Sequence, residues 1–293
     1  LDPVTLLTAA AIAIGPAYAQ PRVRPLLVSL ELPVARARVG LPAAMVANDE
    51  LPPLSIPKLV ADGRHWRLET PHGAVHVWLP HGYAPETAAT VVYVHGYHTD
   101  IDGAWFGHRL PSQFALSGIN AMFIACEAPA NKHQRVQWPS LRELLATVQR
   151  SIGDEAMPEG RVVAVGHSGA FRTLERWLPN PRLDTVVLLD AAYGDIWAYR
   201  RWLFGSAKRR LINIGDDTIT RTDLLHAKLP SSVVLDGLQL IAGIPDHAQE
   251  ARILYIRSAI GHMPLVTGGI VLPTVLRALR VKRVLTAPIP YPL

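Results

Sequence analysis

The sequence predicts an α/β domain built on a mostly parallel, twisted sheet with helices on both faces. Three observations carry that expectation: short unbroken apolar runs rich in β-branched residues, helix-length segments between them, and a hairpin-like stretch ahead of the series. Runs without polar alternation are what strands covered on both faces require. Strand alternating with helix makes successive strands parallel, because each helix carries the chain back to the same end of the sheet.

The hairpin comes first. Trp66 and Leu68 precede Pro71-His72-Gly73, and Val75, Val77 and Leu79 follow it, alternating with polar residues around a turn. Buried parallel strands are expected at 90–94, 121–126, 161–165, 185–189, 210–214 and 252–256. Helices are expected between them at 106–117, 140–152, 170–178, 196–204 and 221–229. In such a sheet, ligands bind beyond the carboxyl ends of the strands.

Composition bounds the rest. With 293 residues, 49% hydrophobic and only 18% charged, the chain can bury a large core, which excludes a disordered protein. The formal charge of +5 is scattered apart from Arg200-Arg201, Lys208-Arg209-Arg210 and residues 277–283, and no aromatic residues interleave with it in a nucleic-acid motif. Nucleic acid is therefore not an expected partner. The single cysteine, Cys126, allows no internal disulfide.

Residues 1–19 read as a secretory signal. An apolar stretch from Val4 to Ile14 is broken by Gly15-Pro16, and Ala17-Tyr18-Ala19 before Gln20 has the small-x-small form of a cleavage site, although no Lys or Arg precedes the stretch. It is shorter than the roughly 20 residues of a membrane span. The expectation is an exported protein, periplasmic or secreted, without a stable span. Residues 20–64, rich in Pro, Val, Ala and Arg, read as an N-terminal arm, and 65–293 as one domain.

Chemistry concentrates at Gly166-His167-Ser168-Gly169-Ala170, where an apolar strand ends and a helix begins. This resembles the nucleophile elbow of the α/β-hydrolases, in which a serine in a strained turn tolerates only small residues two before and two after it. Ala170 stands where Gly is commoner. The resemblance implies Ser168 as nucleophile, and a histidine after the last strand as its base. His262, in Ile260-Gly261-His262-Met263-Pro264, has that position, whereas His226 and His247 read as surface residues.

Two carboxylates suit the acid that would orient His262. Asp217, in Gly215-Asp216-Asp217-Thr218, has the commoner family position and Asp216 lies beside it; Asp190 ends the run 185–189, where some relatives carry the acid. After strand 90–94, His95-Gly96-Tyr97 resembles the family's oxyanion element. It implies the amides of Tyr97 and Gly169 as oxyanion donors and His95 as structural.

The implied activity is that of a serine esterase or lipase-like enzyme cleaving a small-molecule or lipid-like acyl substrate without a cofactor. Tyr193, Trp197, Tyr199, Trp202 and Phe204 suit either a helix over the site or core packing. A rival reading is a metal-dependent hydrolase using His95, His98, Asp100, Asp102 and His108, whose N and O donors suit hard or borderline metals. A third is a non-catalytic binding protein on the same fold.

Overall fold

The computed structural model describes residues 56–153, 155–238 and 243–284. The expected signal at 1–19 and most of the arm at 20–64 lie outside the described residues. The described part belongs to one compact unit, which starts ahead of the hairpin. Its first element is the helix α1 (Ile56–Ala61), whose Leu59 and Val60 pack on the core.

Among the described residues, nine strands form a single sheet: β1 (Arg64–Leu68), β2 (Val75–Leu79), β3 (Ala89–Val94), β4 (Ala121–Cys126), β5 (Val162–His167), β6 (Leu183–Leu189), β7 (Arg210–Gly215), β8 (Val233–Asp236) and β9 (Ile253–Arg257). Their order across the sheet is β1-β2-β4-β3-β5-β6-β7-β9-β8. The β1–β2 and β2–β4 pairs are antiparallel and every other pair is parallel. From β3 the chain moves to one side for β4 and to the other for β5, so a topological switch point lies between β3 and β5.

The helices after α1 are α2 (Ile101–Gly107), α3 (Leu110–Ser117), α4 (Leu141–Ser151), α5 (Phe171–Trp177), α6 (Ile196–Phe204), α7 (Ile219–His226), α8 (Asp246–Gln249), α9 (Pro264–Thr267) and α10 (Val271–Arg277). Period-two alternation divides the strand residues between two cores. Val92, Val94, Ile124, Ala164, Val186 and Leu188 meet α4 to α7 through Leu144, Leu174, Tyr199 and Leu225. Val91, Tyr93, Phe123, Val165, Val187 and Ile214 meet α2, α3, α9 and α10 through Trp105, Phe114, Leu265 and Leu272 on the other face.

Three differences from the sequence expectations have local causes. The helix expected at 106–117 is two helices, because Pro111 cannot donate to the carbonyl four residues back and its ring clashes there; the chain turns through Arg109 in the left-handed region, φ 50°. Strand β2 is buried along its whole length rather than on one face. Its expected polar side carries His76, which stacks on Trp105 of α2 and bonds Asp102 at 2.9 Å. The edge strand β8, only four residues long with alternating burial, was too short to stand out from its flanking loops.

Candidate functional site

Register assembles the site. Val94 of β3 pairs with Gly166 of β5, and His167 of β5 pairs with Leu189 of β6, so the residues just beyond these strands lie side by side: Gly96 beside Ser168, and Ser168 beside Asp190. Asp190 N–H donates to Ile214 O of β7 at 2.7 Å, and Ser258 N–H, after β9, donates to Gly215 O at 2.7 Å. These are the carboxyl ends of five adjacent parallel strands, β3, β5, β6, β7 and β9, next to the switch point, where α/β sheets hold ligands.

Ser168 sits in the left-handed region at φ 51°, directly after β5, and opens the single 3₁₀ turn (Ser168–Ala170) that leads into α5. A side chain at Gly166 would meet the Leu174 and Ala170 side chains at 2.5 and 2.9 Å. The tight turn therefore does require small residues on both sides, and the Ala170 methyl fits where a larger group would not. Gly96 is equally constrained, since a Cβ there would lie 2.8 Å from the Ser168 Cβ. Such an approach brings the backbone after β3 against the serine.

His262 arrives on the loop after β9. Its Nδ1 lies 2.5 Å from Asp190 Oδ2, while Asp217 Oδ2 is 3.8 Å away on a largely exposed side chain. Asp190 is fully buried, also at positive φ, and its two oxygens collect donors. Oδ1 accepts from the amides of Asp216 (3.0 Å) and Thr218 (2.9 Å) and from the Thr218 hydroxyl (2.6 Å); Oδ2 accepts from the Asp217 amide at 3.1 Å as well as from His262. Burial opposes its ionisation, but the bonds from His262, Thr218 and the loop amides outweigh that and hold the carboxyl well below its usual range. The loop from Asp216 to Thr218 thus feeds N–H groups to Asp190.

The His262 imidazole is shifted upward, chiefly by its bond to Asp190, against partial desolvation and with help from the charges of Asp190, Asp217 and Asp216. With Nδ1–H held by Asp190, Nε2 is the nitrogen left to take a proton. No hydrogen bond joins Ser168 to His262 among the described residues; such bonds commonly tighten only when substrate is present.

Behind His262 stands His167, which the sequence reading passed over as the variable residue of the elbow. Its Nε2–H donates to His262 O at 3.1 Å, and the two rings pack at 4.5 Å. Burial, then the neighbouring His262, push its pKa down to about 3, so it remains a neutral donor. Thr218 was likewise given no role in that reading, whereas Tyr193 stood among the aromatics expected over the site or in the core. Tyr193 sets its ring edge-on to His262 at 6.4 Å and is partly exposed at the site.

Of the aromatics after Asp190, Tyr199 and Trp202 are core, whereas Tyr193, Trp197 and Phe204 face outward. A Cβ on Gly169 would fall 2.4 Å from the Tyr97 ring, so the two proposed oxyanion donors belong to backbones in close contact. Neither amide is taken by a turn, loop or cap bond among the described residues.

Comparison with solved structures finds several similar ones. A structure described as FAE is 11% identical over 74% of this chain and 86% of that one, with a TM-score of 0.50. A feruloyl esterase module from Clostridium thermocellum, complexed with sinapinate, is 10% identical over 72% of this chain and 87% of its own, TM-score 0.49. S-formylglutathione hydrolase from Agrobacterium tumefaciens is 11% identical over 75% and 95%, TM-score 0.47. The chain has the α/β-hydrolase fold. No protein-family model matches it, and no curated protein sequence does.

Within the α/β-hydrolase fold, the residues of the rival metal reading are spent elsewhere. His95 is buried, donates from Nδ1 to Gly96 O at 2.7 Å and accepts at Nε2 from the Ala128 amide at 3.0 Å. Asp100 caps α2 by accepting from Gly103 N–H at 2.6 Å, and Asp102 binds Arg67 and His76. His108 pairs with the Tyr93 hydroxyl at 2.9 Å, and His98 is exposed. Among the described residues their donor atoms do not converge on one point. Among the described residues only Asp190, Asp217 and His262 bring three donor atoms together, and there the Asp190 oxygens are occupied by N–H and O–H donors. His226, expected at the surface, is buried and stacked on Tyr255 at 4.5 Å.

Proposed function

We propose that the protein is a serine hydrolase that cleaves a carboxylic ester, or a related acyl bond, through an acyl-enzyme on Ser168. The observation that carries this reading is the 2.5 Å bond from His262 to a buried, ionised Asp190, one strand away from a serine held at φ 51°. In the reaction, Ser168 Oγ attacks the acyl carbon as His262 Nε2 takes its proton. The oxygen of the tetrahedral intermediate gains negative charge and is held by the Tyr97 and Gly169 amides. Collapse breaks the bond to the leaving alcohol, which receives the proton from His262. Water then repeats the sequence on the acyl-enzyme and frees the acid and Ser168.

Asp190 acts as the orienting carboxylate in this scheme. It keeps the proton on Nδ1 and stabilises the imidazolium without itself being protonated. Asp217, nearer the surface, contributes its amide and a screened charge.

The test is labelling and turnover. The protein should react with a fluorophosphonate and hydrolyse p-nitrophenyl acetate, and Ser168→Ala should do neither while keeping its circular dichroism spectrum. A folded Ser168→Ala variant with substantial turnover rejects the mechanism. Wild-type protein inert to both reagents favours a binding protein on this fold.

The cleavage pattern Ala17-Tyr18-Ala19 supports export. N-terminal sequencing of the extracytoplasmic fraction should find mature protein beginning at or near Gln20.

A further inference from the structure

At the other end of the same strands lies a second concentration of charge. Arg161 precedes β5, Arg210 opens β7 and Arg252 precedes β9; because these strands are parallel, the three side chains gather at one edge, away from Ser168. Lys208, Arg209 and Arg280 join them around a cavity of about 530 Å³. Only two carboxylates, Asp184 and Glu250, line the same space, and among the described residues none of the six cations forms an ion pair. Elsewhere arginines do find partners, as Arg64 does in Glu155, Arg67 in Asp102 and Arg257 in Asp223.

Backbone carbonyls hold these guanidinium groups in position. Arg210 is buried and donates to Ala251 O (2.9 Å), Ala278 O (2.9 Å) and Gln249 O (2.6 Å). Arg252 donates to Arg209 O and Ser206 O, and Arg209 to Trp202 O at 2.6 Å. Carbonyls satisfy N–H groups but carry no net charge, and a helix C-terminus offers only about half a negative unit. Burial, followed by the charges of Arg280 and Arg161, pushes Arg210 down to about 10. Donors remain for a ligand: Arg252 Nη1 and the whole heads of Arg161 and Lys208 make no hydrogen bond or ion pair among the described residues, and Arg209, stacked over the Trp202 ring at 5.4 Å, keeps Nε and Nη2 free of hydrogen bonds there.

We infer that this cavity binds a soluble small molecule bearing two or more phosphoryl or similar oxyanion charges, at a site separate from the ester-cleaving end of the sheet. Planar guanidinium forks match such oxygens two at a time. The volume falls within the range of small-molecule sites and exceeds what a single orthophosphate needs.

Calorimetric titration of the full chain with inorganic pyrophosphate tests this. Saturable one-to-one binding is expected. Arg161→Gln/Lys208→Gln should weaken it by about tenfold or more, since hydrogen bonds to charged groups are the strong ones. Both positions are exposed and make no side-chain bond among the described residues, so the fold should persist by circular dichroism. Lys132→Gln/Arg135→Gln removes the same charge elsewhere and should leave binding unchanged. Absence of saturable binding, or equal weakening by the two pairs, overturns the inference. Binding to vesicles of phosphatidylglycerol in phosphatidylcholine without binding to pyrophosphate would also overturn it, in favour of a membrane surface.

Discussion

Asp190→Asn is the most informative single change, because the structure dictates how the new amide must sit. Oδ1 faces three donors, the Asp216 and Thr218 amides and the Thr218 hydroxyl, whereas Oδ2 faces the Asp217 amide and His262 Nδ1. An NH₂ at the first position would oppose three donors. At the second it opposes one fixed N–H and a ring nitrogen that can become an acceptor. Asn therefore turns its NH₂ toward His262, which moves its own proton to Nε2 and ceases to be a base for Ser168.

The expected loss in kcat is about 10⁴-fold, close to 5.5 kcal/mol in the barrier. Losing the Asp217 bond to a charged acceptor costs about 1.5–3 kcal/mol of stability, so Tm should fall as well. Asp217→Asn removes an exposed charge 3.8 Å from the ring, and its kcat should stay within about fivefold of wild type. Rates of p-nitrophenyl acetate hydrolysis by the two variants, with urea unfolding of each, measure all of this. Asp190→Asn retaining more than about 1% of wild-type kcat, or Asp217→Asn losing more than Asp190→Asn, would refute the argument.

Three further outcomes follow from the same geometry. Ser168 holds φ 51°, which an L-residue other than glycine occupies at a cost, so Ser168→Gly should be inactive yet more stable than Ser168→Ala by up to about 1 kcal/mol in urea unfolding. Because bonding to Asp190 raises His262 and the base must be neutral, kcat/KM should rise with pH through a limb centred above 6.5; a limb at or below that value contradicts the Asp190 bond. The raised pKa also means that the His262–Asp190 bond stabilises the fold fully below the unfolded pKa, a contribution lost as pH rises through the folded one. His167→Phe keeps a ring beside His262 but removes the donor to its carbonyl, so kcat should fall about tenfold with KM nearly unchanged, and a larger change in KM than in kcat would count against a positioning role.

Strand and helix periodicity, the small residues around Ser168 and the position of His262 after the last expected strand are local properties, which is why they could be read along the chain. Gly-x-Ser-x-small works through steric contact with its immediate surroundings, as the short distances from Gly166 to Leu174 and Ala170 show. The proline-enforced break between α2 and α3 was equally local and could have been read from Pro111.

The choice between Asp190 and Asp217 was of another kind. Both stand beyond the ends of neighbouring strands in sequences of similar character, and what separates them is register: β5 to β6 to β7 sets Asp190 inward under the Asp216–Thr218 loop and leaves Asp217 at the surface. The contact of His167 with His262, 95 residues apart, depends likewise on how the loop after β9 folds over the end of β5. The same holds at the opposite edge, where Arg161, Arg210 and Arg252 are scattered in sequence and converge only because their strands run parallel. A chain states which residues can form an element, through sterics and solvation felt within a few positions. Which distant groups then share a hydrogen bond or a field is decided by strand order and register, which arise when the elements pack.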